Sequence, residues 1–160
     1  MERIWAPWRL QYIENADAVE GCIFCVFPAE QRDAERFILL RGERAFVILN
    51  AYPYSNGHLM VTPYQHTANL DELDDATMLE LMTLTRRAVN LLKAAFRPDG
   101  FNIGVNMGRV AGAGIADHVH IHVVPRWNGD TNFMGVVGDT RVIPASLEEV
   151  YSRLKEQMGG

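Results

Sequence analysis

Bulky aliphatic residues and histidines alternate along residues 118–124, HVHIHVV. Successive side chains of a β-strand point to opposite faces of a sheet, so this pattern predicts a strand with three imidazoles on one face. Val119, Ile121 and Val123 are then expected in the core. Three of the five histidines of the chain lie here, whereas a purely structural strand would carry residues such as Thr or Lys on its open face. We therefore expect this strand to be a functional site.

Other hydrophobic patterns predict the remaining elements. Short apolar runs at 37–40, 45–49, 58–62 and 101–106 predict strands, and residues 41–44 predict a hairpin turn between the first two. Helical spacing of apolar residues predicts a long helix from about Asp74 to Phe96. Ser146, followed by Glu149 three residues later, predicts the cap of a short C-terminal helix. This order predicts an α+β fold with a mostly antiparallel sheet.

Composition limits the partners of this chain. Its 160 residues are 48% hydrophobic and 22% charged, which predicts one globular domain over 1–160. We expect the domain to begin with an aromatic arm over 1–20 and to end with a tail over 127–160 that could line a pocket. The net charge of −5 gives no field that would attract nucleic acid or anionic membranes. Two cysteines, no apolar run of membrane-spanning length and no signal-peptide core predict a cytoplasmic location.

The histidines suggest chemistry at phosphorus. His120, between two other histidines, is the candidate nucleophile, because a neutral imidazole can attack through one nitrogen while an acceptor holds the other N–H. His122 on the same face could donate to a phosphate oxygen. The loop from Gly108 to Gly114 could bind an anion through backbone N–H groups, although most such loops are only turns. No Walker-type loop or evident carboxylate pair for magnesium is present in the sequence.

A second motif, Cys22-Ile23-Phe24-Cys25, has C-x-x-C spacing. This spacing suits two thiolates on one tetrahedral zinc ion. A redox pair and an accidental spacing are equally open from the motif alone.

The H-φ-H-φ-H-φ-φ pattern, where φ is apolar, resembles the signature of the histidine triad (HIT) superfamily of nucleotide hydrolases and transferases. Residues 50–59, NAYPYSNGHL, are similar to the N-x-x-P-x-x-x-G-H-φ segment of that family, and residues 61–66 continue the match. The resemblance covers about residues 22–126. Residues 125–133, PRWNGDTNF, resemble the branch that cleaves diadenosine tetraphosphate by phosphorolysis.

The resemblance implies an enzyme that cleaves a nucleoside polyphosphate at the α-phosphate through a nucleotidyl-histidine intermediate. His120 would be the nucleophile, and His122 and His58 would support it or bind phosphate. The implied nucleotide contacts are Asn50 at the ribose, Asn106 at the phosphate or leaving group, the amides of Gly112, Ala113 and Gly114, and apolar surfaces of Ile48, Leu49 and Trp127. A role in the buried core is an equal alternative for Ile48, Leu49 and Trp127.

The resemblance also implies a zinc ion and a homodimer. Cys22, Cys25, His66 and His118 would hold the zinc, whose role would be structural because four protein ligands leave no open position for catalysis. The dimer would pair the long helix and a strand across a two-fold axis.

Two other functions compete with this hypothesis. The same triad hydrolyses nucleoside phosphoramidates elsewhere in the superfamily, and a nucleotide-binding adaptor with little turnover is a third candidate. Many family members carry Ser, Thr or Gln three or four positions before the first histidine, where this chain has Gly114 and Ile115. That departure slightly favours the adaptor, whereas an intact His120 opposes it. Whether phosphate or water completes the reaction is left open.

Overall fold

The computed structural model describes residues 20–132, 137–138 and 142–159. The predicted α+β fold is confirmed. The helices are α1 (Ile23–Glu30), α2 (Asp33–Arg36), α3 (Asp75–Phe96) and α4 (Leu147–Met158), with short 3-10 helices at Leu70–Glu72 and Arg109–Ala111. The strands are β1 (Ile38–Arg41), β2 (Ala45–Leu49), β3 (Leu59–Pro63), β4 (Gly100–Val105) and β5 (Ile121–Arg126). Except for Glu20, the expected aromatic arm over 1–20 lies outside the described residues.

The five strands form one antiparallel sheet in the order β1-β2-β3-β5-β4. The predicted hairpin joins β1 to β2. Strand β5 begins at Ile121, three residues later than the histidine pattern predicts. Val119 instead donates its N–H to the carbonyl of Thr67 at 2.7 Å, and the first two histidines lie in the segment that precedes the strand.

The sheet separates two apolar layers. Helices α3 and α4 cover one face, which we call the helix face. Val119, Ile121 and Val123 are buried there, as predicted. The opposite face, which we call the histidine face, carries a smaller buried cluster that includes Phe24 of α1. The other buried members of that cluster are Ile38, Phe46, Ile48 and Met60.

Local capping explains the two longer helices. Asp74 accepts the N–H of Thr77 at 2.8 Å at the start of α3, and the helix ends at Arg97 in the left-handed conformation. Ser146 accepts the N–H of Glu149 at 3.2 Å, as the predicted cap requires. Helix α4 packs on α3 and β1, so this part of the expected pocket-lining tail lies on the helix face. Of the helices described, none has the length and apolar character needed to cross a membrane.

Helices α1 and α2 have no counterpart in the pattern analysis. The sequence of α1, IFCVFPAE, is almost uniformly apolar, so it has no stripe that would indicate a helix. Its buried residues are Phe24 and Pro28. Packing against the sheet therefore stabilises this helix more than its own periodicity does.

Candidate active site and metal centre

One backbone contact determines the tautomer of His120. Its Nδ1 lies 2.9 Å from the carbonyl oxygen of His118. A carbonyl only accepts, so Nδ1 carries the proton and Nε2 keeps a lone pair. The residue is only 4% exposed. In the described part of the chain, Asn56 Oδ1 is the one fully buried side-chain N or O atom without a hydrogen-bond partner. Nε2 of His120 has no such partner in that part either, so it is not fully buried and an incoming phosphate can reach it.

Two consecutive hydrogen bonds give His122 the opposite tautomer. The backbone N–H of Tyr54 donates to Nδ1 of His58 at 3.1 Å, so the proton of His58 is on Nε2. That nitrogen lies 2.9 Å from Nδ1 of His122 and donates to it. Nε2 of His122 consequently carries an N–H. The ring centroids of His120 and His122 are 4.7 Å apart, so a ring with a lone pair on Nε2 is next to a ring with an N–H on Nε2.

Burial keeps these imidazoles neutral. Burial lowers the pKa of His120 below its ordinary value, because a charged ring would lose its hydration. The pKa of His122 falls to about 4, first through burial and then through repulsion from His120. At neutral pH both rings are therefore uncharged, and the lone pair of His120 is not consumed by a proton.

The segment from residue 50 to residue 58 fixes His58. Asn50 accepts the N–H of Tyr52 on its Oδ1 at 2.8 Å, and its own N–H donates to the carbonyl of His58 at 2.9 Å. Gly57 has a φ of +82°, and a Cβ there would lie 3.0 Å from Cδ2 of Leu92. Only glycine suits this position without strain. Asn50, predicted to contact ribose, is 9% exposed and helps to close this segment.

The two cysteines and the two remaining histidines form a cluster. Their ligand atoms all lie within 4.8 Å of one another, so Cys22, Cys25, His66 and His118 could hold a metal ion. Nε2 of His118 donates to the carbonyl of Pro63 at 2.8 Å, which leaves the lone pair on Nδ1 facing the sulfur atoms. Burial and the nearby Cys22 raise the pKa of the Cys25 thiol, so a bound cation would be needed to favour its thiolate.

The glycine-rich loop meets the site through Asn106. Strand β4 pairs its last residue, Val105, with Ile121, the first residue of β5, so Asn106 leaves the sheet at the end where His120 enters it. A Cβ on Gly112 would lie 4.0 Å from Nδ2 of Asn106, so the loop and this amide are neighbours.

The loop uses two of its predicted anion-binding amides internally. The N–H of Gly112 donates to the carbonyl of Arg109 at 3.0 Å, and the N–H of Ala113 donates to the carbonyl of Gly108 at 3.3 Å. Both amides thus already have backbone partners, and their assignment as nucleotide contacts stays a prediction. Among the described residues, Gly114 has no such bond, and a Cβ there would meet nothing within 4 Å.

Two predicted apolar contacts lie away from the histidines. Ile48 belongs to the cluster on the histidine face, but Leu49 is buried on the helix face because neighbouring residues of a strand point to opposite sides. Trp127 follows the far end of β5, on the order of 15 Å along the strand from His122. Its indole N–H donates to the carbonyl of Phe96 at 3.3 Å. Leu49 therefore packs on the face opposite the histidines, and the described hydrogen bond of Trp127 joins it to the end of α3.

Tyr54 is a contributor that the sequence analysis did not single out. Its ring is stacked on His122 at 5.7 Å and lies 4.6 Å from His58, and it is 46% exposed. Its N–H fixes the tautomer of His58. An aromatic residue four positions before His58 is a pattern from which a ring contact could have been predicted. The role of the backbone N–H of Tyr54 could not, because every residue except proline carries that group.

Comparison with known proteins gives consistent matches. The HIT domain family matches residues 31–129. A Mycobacterium tuberculosis protein named AP-4-A phosphorylase is 39% identical over 156 residues, which cover 93% of this chain and 80% of that protein. A crystal structure of a zinc-bound histidine triad family protein from Mycobacterium smegmatis has a TM-score of 0.70 and 29% identity, covering 87% of this chain and 94% of that one. Plasmodium falciparum diadenosine triphosphate hydrolase shares the fold, with a TM-score of 0.64 at 22% identity and 78% of each chain covered.

The lowered pKa of His122 predicts acid destabilisation. In the unfolded chain this imidazole takes up a proton near pH 6.5, but in the folded protein it does so only near pH 4. Unfolding therefore takes up a proton between these values, and stability falls as the pH falls, by up to about 1.4 kcal/mol per pH unit from this residue. Urea unfolding of the wild type and of His122→Asn from pH 7 to pH 4 measures the difference. We expect a shallower pH dependence in His122→Asn, and equal slopes would contradict the buried neutral state.

Proposed function

This chain belongs to the HIT domain family, and from that premise we propose that it cleaves dinucleoside polyphosphates, diadenosine tetraphosphate in particular, through a nucleotidyl intermediate on His120. One observation carries the proposal: the ring of a neutral His120, with a lone pair on Nε2, lies 4.7 Å from the ring of His122, whose Nε2 carries an N–H. The 39% identity to a protein named AP-4-A phosphorylase supports this choice of substrate.

In the first step Nε2 of His120 attacks the α-phosphorus, and the bond from that phosphorus to the bridging oxygen breaks. Adenylate is transferred to the ring and ATP leaves with the electron pair. The ring becomes a cation because Nδ1 keeps its proton, and the carbonyl of His118 at 2.9 Å stabilises that charge. The N–H of His122 donates to a phosphoryl oxygen on which negative charge grows.

In the second step an oxygen of inorganic phosphate attacks the same phosphorus from the side opposite His120. The N–P bond breaks, its electron pair returns to Nε2, and ADP forms. Water as the acceptor would give AMP instead. The phosphorolytic branch is supported by residues 125–133, PRWNGDTNF, and by the M. tuberculosis relative.

The neutral state of His122 favours a polyphosphate over a phosphoramidate. A polyphosphate leaves as a stable anion and needs no proton, whereas an amine leaving group needs an acid. His122, with a pKa of about 4, is uncharged at neutral pH and has no spare proton to give. It can stabilise charge through a hydrogen bond, which is enough for ATP as the leaving group.

The nucleotide would extend from the triad toward β4 and the glycine-rich loop. We assign Asn106 to the phosphate or leaving group, and the amide of Gly114 to a phosphoryl oxygen. Ile48 on the histidine face offers an apolar contact to a base. We assign Asn50, which begins the segment that fixes His58, to the ribose.

The cysteine-histidine cluster suits zinc. Bonds of about 2.3 Å to sulfur and about 2.0–2.1 Å to nitrogen give a tetrahedron with S···N edges of about 3.5 Å and an N···N edge of about 3.3 Å. The corresponding S···N distances here are 3.3, 3.5 and 3.6 Å, and the two Nδ1 atoms are 3.2 Å apart. With four protein ligands the ion would hold α1 against the sheet and take no part in the reaction. Thiolates of this kind persist in a reducing compartment, which supports the expected cytoplasmic location.

A homodimer would cover the edge of the sheet. Strand β4 is an edge strand, and Ile103 on its helix face is 48% exposed. Leu79 and Met82 on α3 are 70% and 56% exposed. Exposed sheet edges with apolar side chains are sites of association. We propose that β4 and α3 meet their copies across a two-fold axis.

Diadenosine tetraphosphate is the test substrate for the proposed reaction. Incubation with phosphate is expected to give ADP and ATP in equal amounts, and rapid quenching should trap a nucleotidyl group on the protein, detected by mass spectrometry. Release of AMP instead of ADP would replace phosphorolysis by hydrolysis.

His120→Ala is the matched control for that assay, because it removes the nucleophile and leaves the pocket. We expect turnover to fall by at least about a thousandfold, with no adduct and with nucleotide binding retained. An adduct on the variant, or undiminished turnover, would exclude the covalent route through His120.

Zinc binding is tested by two variants with the same substitution. The purified wild type should contain about one equivalent of zinc. His66→Asn removes a proposed ligand and should lose most of that metal, whereas His58→Asn, outside the cluster, should keep it. Elemental analysis of both folded variants decides the matter, and equal zinc contents would refute the assignment.

The proposed dimer is tested by sedimentation. Ile103→Asp puts a charge on the edge strand and should convert the dimer to a monomer. Val110→Asp changes a fully exposed valine in the glycine-rich loop and should leave the dimer intact. A wild-type monomer, or a dimer unaffected by Ile103→Asp, would argue against this interface.

A further inference from the structure

Phe24 lies inside the C-x-x-C motif, between the two cysteines of the cysteine-histidine cluster. Its side chain is 0% exposed, although α1 has only eight residues and runs over the surface of the sheet. Cys22 at the N-cap and Cys25 in the helix thus supply thiols to the cysteine-histidine cluster, while the ring of Phe24 is buried on the histidine face.

The ring of Phe24 contacts two histidines of the triad segment. Its centroid is 5.3 Å from that of His118 at an interplanar angle of 68°, and 5.0 Å from that of His120 at 52°. It thus touches a proposed metal ligand and the proposed nucleophile together. Edge and tilted contacts at these separations are attractive as well as space-filling.

The ring of His120 has one hydrogen bond and two ring contacts within the described residues. Its hydrogen bond to the carbonyl of His118 fixes Nδ1, but a single bond leaves the ring able to tilt about that point. The ring centroid of His122, in β5, lies 4.7 Å from that of His120. Among the described ring contacts of His120, Phe24 is the apolar one.

We propose that Phe24 is a positioning residue for His120 and that it couples helix α1, which carries the proposed metal ligand Cys25, to the direction of nucleophilic attack. The proposal rests on the proposed function for its kinetic consequence only. Its structural content, that Phe24 restrains the ring of His120, stands apart from turnover.

The chain offers a matched control in Phe46. It is also 0% exposed and belongs to the same cluster, with its ring 6.5 Å from that of Phe24 and 5.2 Å from that of Tyr64. The described ring contacts join Phe46 to no histidine. Phe24→Leu and Phe46→Leu therefore remove similar volumes from one cluster, and only the first removes a contact with His120.

The test compares both variants, each saturated with Zn²⁺, in three measurements. For Phe24→Leu we expect kcat with diadenosine tetraphosphate to fall roughly tenfold, with KM within about twofold of the wild type. Phe46→Leu should keep kcat. Nuclear magnetic resonance of ¹⁵N-labelled histidine, with His120→Ala identifying the resonance, should show the ring nitrogens of His120 shifted and broadened in Phe24→Leu alone.

Several outcomes would overturn the proposal. An unchanged His120 resonance in Phe24→Leu would do so even if the wild type proved inactive on every nucleotide, so failure here is distinct from failure of the proposed function. Equal losses of kcat in both variants would reduce Phe24 to a general core residue. Loss of zinc from Phe24→Leu would mean that the ring supports the metal cluster and not the nucleophile.

Discussion

Three contacts converge on His118, and both the proposed nucleophile and the cysteine-histidine cluster depend on them. Its carbonyl accepts the Nδ1 proton of His120, its Nε2–H donates to the carbonyl of Pro63, and its Nδ1 faces the sulfur of Cys22. One residue thus sets the tautomer of its neighbour through the backbone and offers a ligand through the side chain. A displacement of His118 would therefore disturb the catalytic and the metal-binding parts of the site at the same time.

The sheet makes this arrangement possible by keeping two apolar layers apart. The helix face supplies most of the buried core, so the histidine face can carry polar rings. Burial lowers the pKa of His122 and keeps it neutral, and the bond from His58 satisfies its Nδ1. The cost of burying polar groups is offset where each nitrogen has a partner. Gly57 contributes indirectly, since only its positive φ lets the chain turn into His58 beside Leu92.

The elements that the sequence predicts well are those whose periodicity is local. Helix α3 and the alternation around the histidines follow from spacing alone, whereas α1 has no stripe, and the start of β5 depends on a bond from Val119 to distant Thr67. The tautomers could not be predicted, because they depend on backbone groups that most residue types share. The opposite placement of Ile48 and Leu49 was predictable, since adjacent residues in a strand cannot face the same layer.

The position before the triad shows how packing and chemistry share the same few residues. Ile115 packs against the cluster around Phe24, so an apolar residue there supports the layer that holds His120. Gly114 beside it is open, with its amide unbonded within the described residues. A polar side chain at Ile115 would be buried against that layer at a cost. Under the proposed function, phosphate binding therefore falls to amides and neutral imidazoles, which suit a substrate whose leaving group departs without a proton.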